Sequence, residues 1–346
     1  MIKVFDNIRR AFAQMRNGMG NTMKDQFGRD IDYLRASITD RCNLRCHYCM
    51  PGGISFAPVE EILTFDEIET ICKAAAGAGI GKIKITGGEP LMRPGCASLI
   101  GIIKKIPGIR QVTMTTNGVL FGENLTALLE NGLDAVNFSL DTLKRETYEK
   151  ITGKDALCVV VTNIEKAVKA GLRVKINATL HHGVNDGEWR ALSELTRQLP
   201  VDVRFIEMMP IGAGKDFKPV FQEELMSQFQ AAYPGFLRDE SAHGNGPAKY
   251  YQIPGAIGSV GFISALHGKF CHSCNRLRLT SKGKLKPCLC FGDEVDLMKI
   301  VRGEGSDKNR QLQEAFFQAV WNKPKEHRFE RADEITEKKQ MAQIGG

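Results

Sequence analysis

Residues 82–90 read KIKITGGEP, and this stretch decides the fold class. Lys82–Thr86 alternates basic and β-branched side chains, the period-two pattern of a strand, and Gly87-Gly88 ends it in a turn. Ahead of it lies an amphipathic segment, Phe65–Ala78, with Thr64 at the N-cap and Glu67 three residues later, the spacing of a capping box. Behind it, a helical stretch near Ala97–Ile106 leads to another strand, Gln111–Thr116. Strand, turn, helix and strand in that order predict a parallel βαβ unit.

The unit repeats outward in both directions. Tyr33–Ile38 is the strand upstream. Downstream come a helix around Asn124–Asn131, the strand Asp134–Leu140, helices near Lys144–Ile151 and Val159–Ala170, the strand Arg173–Leu180, a helix near Glu188–Leu199 and the strand Asp202–Met208. Six strands alternating with helices predict an α/β fold whose functional residues gather at the C-terminal strand ends. After Met209 the rhythm breaks, which puts a boundary near 210–240. A helix at Phe221–Ala232, short strands and turns over about 248–300, a helix at Gln311–Trp321 and a charged tail ending in IGG follow.

The chain has 346 residues, 47 Lys and Arg against 40 Asp and Glu, and a net charge of +7. This length supports a core without cross-links, so the ten cysteines need another explanation than stability. No run of 18 apolar residues marks a membrane span. The first twenty residues lack the apolar core and cleavage site of a secretory leader; they read as a short basic amphipathic helix, on a solvated surface or in a membrane-surface or transit role. The expected compartment is the reducing cytoplasm, where cysteines are thiols or metal ligands. The small positive excess does not demand nucleic acid and suits an anionic small molecule equally well.

Seven cysteines form two groups. Cys42, Cys46 and Cys49 follow the first strand with C-x3-C-x2-C spacing; Cys271, Cys274, Cys288 and Cys290 lie in the C-terminal region. Cys72, Cys96 and Cys158 stand alone, as small apolar residues would. Thiolates two or three residues apart converge on a soft metal centre, either zinc or an iron–sulfur cluster. Zinc would want a fourth ligand, for which His47 is available; a three-thiolate cubane would leave one iron open.

The segment RCNLRCHYC (Arg41–Cys49), with Tyr48 as its aromatic, resembles the cluster loop of the radical S-adenosylmethionine superfamily, and ITGGEP (Ile85–Pro90) resembles its second mark. DYLRASITDRCN, TGGEPLMR, TTNG, NFSLDTL, VKIN, RFIEMMP, FCHSCNRLRLT, GKLKPC and the terminal IGG narrow the resemblance to the GTP 3′,8-cyclase family of molybdenum cofactor biosynthesis, from about Phe27 to Gly346. The resemblance implies an incomplete (β/α)6 TIM-like barrel at 27–215. An extension would occupy 1–26, and a C-terminal region, 216–346, would close the open side.

It further implies two 4Fe–4S clusters, on Cys42, Cys46 and Cys49 and on Cys271, Cys274 and Cys288. S-adenosylmethionine would meet Tyr48, Gly88, Ser139 and Met209. GTP would meet Arg35, Lys84, Thr115, Lys175, Arg276, Leu277 and Arg278, with its guanine on the open iron of the second cluster. Arg276, Arg278 and the tail glycines Gly345 and Gly346 would be needed for catalysis. The family reaction takes the ribose 3′ hydrogen with an adenosyl radical and joins C3′ to guanine C8. An external electron donor, a homodimer and delivery of the product to cyclic pyranopterin monophosphate synthase belong to the same implication, with neither nucleic acid nor membrane involved.

The residues agree chemically. Lys84 and Lys175 lie in strands otherwise rich in Ile and Val, where a buried cation is costly unless it faces an anion; the alternative is that they point to solvent between helices. Arg276 and Arg278 share one strand face. Gly87-Gly88 lets backbone approach a ligand closely. Cys290 departs from the family pattern. It reads as a bystander, the alternative being a fourth thiolate that closes the second cluster for electron relay. The rival readings are another radical enzyme with an auxiliary cluster, such as a peptide-modifying one, and a zinc-binding module.

Overall fold

The computed structural model describes residues 22–52 and 55–345. The helix expected within residues 1–20, and Gly346, lie outside the described residues. Among the described residues a twelve-stranded sheet has eight parallel strands at its centre. These are β1 (Tyr33–Ser37), β2 (Lys82–Thr86), β3 (Gln111–Thr116), β4 (Ala135–Ser139), β5 (Arg173–Ala178), β6 (Val201–Ile206), β7 (Val260–Ile263) and β8 (Arg276–Leu279). Their order is β8-β1-β2-β3-β4-β5-β6-β7. The first six are the strands read from the sequence, with helices between them.

The last two come from the C-terminal region and join opposite flanks. β7 runs parallel to β6, with Val260 beside Val203, and β8 runs parallel to β1, with Arg278 beside Arg35. Antiparallel strands continue past β7 (Lys249–Gln252, then Leu237–Asp239) and past β8 (Lys284–Lys286, then Val295–Asp296). The incomplete six-unit barrel is therefore extended at both open sides by C-terminal chain.

The period-two pattern sorts the side chains. Leu34, Ile83, Ile85, Val112, Met114, Val136, Phe138, Val174, Ile176, Val203, Phe205 and Leu277 are buried in the main apolar core. Burying such side chains stabilises by roughly 1.5–3 kcal/mol each. The expected capping box is present: the Thr64 backbone N–H donates to Glu67 Oε2 (2.7 Å), and the Glu67 N–H donates to Thr64 Oγ1 (3.2 Å), fixing the start of the helix Phe65–Gly77. A two-strand hairpin, Met23–Lys24 with Asp30–Ile31, straddles the boundary expected at residue 26. Arg29 ties it to the C-terminal region by donating to the carbonyls of Cys271 (2.8 Å) and Pro324 (2.7 Å).

Candidate active site

The other sheet face is polar. The strand register puts Arg278, Arg35 and Lys84 side by side, Thr115 beside Asn137 and Lys175, and Asn177 beside Arg204. The same strands offer one carboxylate on this face, Asp202, and Lys175 already holds it at 2.9 Å. Lys175 also donates to the Tyr250 hydroxyl (2.8 Å) and the His243 carbonyl. Burial, reinforced by Arg35, Arg204 and Lys175, pushes the Lys84 ammonium well below the usual lysine range. Burial, with Arg35 and Arg276, does the same to Arg278. Asn137 accepts from Lys84 Nζ (2.7 Å) and Arg204 Nη2 (2.9 Å). The Thr115 hydroxyl is buried without a hydrogen-bond partner. So many buried basic groups on one face suit an anion of several charges.

The cysteine loop follows β1. Cys49 and Met50 N–H groups both return to the Cys46 carbonyl (3.0 and 2.8 Å), curling the loop. The Gly88 N–H donates to the Thr39 carbonyl and the Glu89 N–H to the Arg41 carbonyl, both at 2.7 Å. A Cβ on Gly88 would lie 2.4 Å from the Arg41 carbonyl oxygen. This glycine is therefore demanded by close approach of the protein's own cysteine loop, where the sequence suggested a ligand. Glu89 is fully buried and accepts from the Leu91 and Asn117 N–H groups and the Thr116 hydroxyl, tying the end of β2 to that of β3. Burial pushes its carboxyl up to about 7 against those donors.

Burial raises the thiols of Cys42, Cys46 and Cys49, the last to about 12, and the neighbouring thiols raise Cys46 and Cys49 further. Such a set holds thiolates only around a cationic centre. Leu44 N–H and the Asn117 amide point at Cys42 Sγ (3.4 and 3.7 Å). Three closely spaced thiols, with N–H donors on the Cys42 sulfur, fit an iron–sulfur cluster. Among the described residues no three His, Cys, Asp or Glu side chains are spaced to hold a single ion. His47, considered as a fourth ligand, stacks on Phe217 at 4.5 Å and 15°. The Tyr48 hydroxyl donates to Asp141 (2.6 Å).

Cys271 and Cys274 precede β8, and Cys288 follows the strand antiparallel to it, so this set sits at the end of β1 and β8 opposite the first. Cys271 Sγ accepts from the His327 N–H (3.4 Å). Burial works upward on Cys274, but the Lys323 and Arg276 cations overcome it and bring the thiol down to about 6. Cys290 is fully buried in a satellite core with Ile211, Leu289, Phe329 and Ile344, its sulfur accepting from the Arg328 N–H (3.4 Å). The tail returns through the same region. Glu337 pairs with Lys286 at 2.6 Å, both side chains buried. The Ala213 N–H donates to Gln340 Oε1 (2.8 Å), and Arg278 Nη1 donates to the Gly345 carbonyl (2.7 Å).

The Radical SAM superfamily pattern matches residues 36–196, and the Molybdenum Cofactor Synthesis C pattern matches 201–329. The GTP 3′,8-cyclase of Clostridium perfringens (strain SM101) is 42% identical over 325 residues, covering 94% of this chain and all of the relative. That of Alkaliphilus oremlandii is 43% identical over 330 residues, with the same coverage. The chain belongs to the GTP 3′,8-cyclase family. Among solved structures, Streptococcus suis SuiB bound to S-adenosylmethionine shares the fold at 13% identity and a TM-score of 0.64, covering 93% of this chain and 73% of SuiB.

Within this cyclase-family chain, Tyr48, Gly88, Ser139 and Met209 all fall at or just beyond C-terminal strand ends. Arg35, Lys84, Thr115, Lys175, Arg276 and Arg278 share the polar face. Leu277 does not: its side chain is fully buried in the apolar core, because neighbours along a strand point to opposite faces, so only its backbone is left for a ligand. Sequence reasoning passed over Arg204, Asn137 and Asn177. The alternation of DVRFIEM, with Asp202 and Arg204 between Val and Phe, was the available signal.

Proposed function

We propose that this chain converts GTP to (8S)-3′,8-cyclo-7,8-dihydroguanosine 5′-triphosphate in molybdenum cofactor biosynthesis. The observation that carries the reading is the basic polar face between two thiol sets at opposite ends of β1 and β8. Cys42, Cys46 and Cys49 would hold one 4Fe–4S cluster, and Cys271, Cys274 and Cys288 the other. Bound there with S-adenosylmethionine, the first cluster would supply the one-electron chemistry that the cyclisation needs.

The chain's own residues bind, orient and shield. Tyr48, Gly88, Ser139 and Met209 line the S-adenosylmethionine side. Arg35, Lys84, Thr115, Lys175, Arg276 and Arg278, joined by Arg204, meet GTP, and the triphosphate supplies the anionic charge that this face lacks. Thr115 gains the hydrogen-bond partner that its buried hydroxyl lacks. The tail brings Gly345 onto Arg278, narrowing the space where the radical and substrate meet, which keeps water and side reactions out. The Cys290 environment suits a packed thiol, so Cys271, Cys274 and Cys288 would be the ligands of the second cluster.

The reading brings with it an external electron donor and cyclic pyranopterin monophosphate synthase as the consumer of the product; a homodimer and a cytoplasmic location rest on the resemblance. No helix of the described residues is long and apolar enough to cross a membrane. Cys288→Ser tests the second centre. It should leave S-adenosylmethionine cleavage partly intact and abolish cyclisation; full product formation by this variant would remove the substrate-binding role.

A further inference from the structure

Lys323 lies just past the helix Lys308–Trp321 and is 3% exposed. Its ammonium donates to the carbonyls of Arg276 (2.8 Å) and Pro287 (2.6 Å). Those carbonyls stand two residues after Cys274 and one residue before Cys288. Among the described residues both acceptors are neutral, and no carboxylate forms an ion pair with it. Two other buried lysines do have carboxylates, Lys286 with Glu337 and Lys175 with Asp202; buried Lys84, on the substrate-facing polar side, has the Asn137 amide oxygen instead. A desolvated ammonium facing only carbonyls is costly unless a negative charge lies close. The nearest source of such charge is the three-thiolate set whose backbone it grips.

We infer that Lys323 is the positioning and charge-balancing group of the second cluster, its ammonium bridging the Cys274 and Cys288 segments and offsetting the negative charge of the thiolate-bound iron. This rests on the reading that Cys271, Cys274 and Cys288 hold a cluster. Geometry supplies two separable roles. The two hydrogen bonds hold two ligand-bearing segments, far apart in sequence, at one spacing. The charge favours the reduced, more negative form of the cluster, because a fixed cation in a low-dielectric site acts most strongly on the state with the extra electron.

The test uses the full-length chain, reconstituted anaerobically, as Lys323→Arg, Lys323→Gln and Lys323→Met. Iron and sulfide per chain are measured first, then the midpoint potential of the cluster whose electron paramagnetic resonance GTP perturbs. Lys323→Arg should match the parent. Lys323→Gln keeps hydrogen-bond donors without charge; it should hold iron yet, at the parent's midpoint, show a reduced-to-oxidised ratio about tenfold lower, or about 59 mV for a one-electron couple. Lys323→Met should lose iron as well. Iron loss in both Gln and Met with retention in Arg also supports the inference. Parent-like iron and midpoint in both Gln and Met overturn it. A parent that binds about four irons instead of about eight refutes the two-cluster reading itself, a result distinct from failure of the Lys323 role.

Discussion

Gly345→Ala should undock the tail and stop cyclisation while leaving the fold intact. Gly345 has a φ of +78°, in the left-handed region, where a side chain costs about 1–2 kcal/mol. A Cβ there would also stand 2.9 Å from Ser37 Cβ and 3.4 Å from Thr86 Cγ2, at the C-terminal ends of β1 and β2. The residue cannot shift away without breaking the bond from Arg278 Nη1 to its carbonyl, and a charge-assisted bond of this kind is worth about 1.5–3 kcal/mol. Together these amount to about 2.5–5 kcal/mol against the docked tail. At 1.4 kcal/mol per factor of ten, the docked-to-undocked ratio falls by roughly two to three and a half orders of magnitude. Hydrogen exchange of residues 341–345, read beside 5′-deoxyadenosine and pterin formation, checks it. The variant should lose protection in the tail and product formation together, with an unchanged melting temperature. A protected tail and parent-like turnover would refute the steric reasoning.

Other expectations follow from the buried charges. Lys286→Met strands Glu337 without its partner and should release the tail at a cost of about 3–5 kcal/mol, whereas adding Glu337→Leu restores exchange protection; equal protection in the single and double variants would contradict this. Lys84→Met should weaken GTP binding at least tenfold by calorimetry while raising stability. Because the folded ammonium titrates below the unfolded one, parental stability rises with pH toward the ordinary lysine pKa, and the variant should lose that rise. Glu89 runs the opposite way: its folded pKa of about 7 exceeds the unfolded value, so stability falls as pH rises from about 4.5 to about 7, by about 3 kcal/mol at most. Urea unfolding of Glu89→Gln across that window should show a flatter slope than the parent; identical slopes would contradict the assignment.

How much of this was legible in the chain depends on the range of the interaction. Local alternation in KIKIT, QVTMTT and VKIN marks strands, and the same alternation singles out Lys84 and Lys175 as misfits in apolar surroundings. The capping box at Thr64 and Glu67 is equally local. DVRFIEM carries the same alternation, with Arg204 between Val203 and Phe205, but it reads only as a strand. The flanking of the barrel by VGFI on one side and RLRL on the other is a pairing across more than fifty and two hundred residues, which no local pattern encodes. The path of the tail depends on contacts far apart in sequence, the buried pair Lys286 with Glu337 and the bonds from Ala213 to Gln340 and from Arg278 to Gly345, which no local pattern encodes. At Gly88 the fold adds a close neighbour that the sequence does not show, the Arg41 carbonyl of the cysteine loop.

The central claim is the reaction on GTP. Anaerobic, iron-reconstituted protein should be mixed with S-adenosylmethionine, a strong reductant and each nucleoside triphosphate in turn, and 5′-deoxyadenosine and oxidised pterin quantified. Deoxyadenosine formation should be stimulated by GTP alone, with a matching amount of pterin. Deoxyadenosine formed without pterin from any nucleotide would contradict it, leaving the radical chemistry in place and moving the substrate elsewhere.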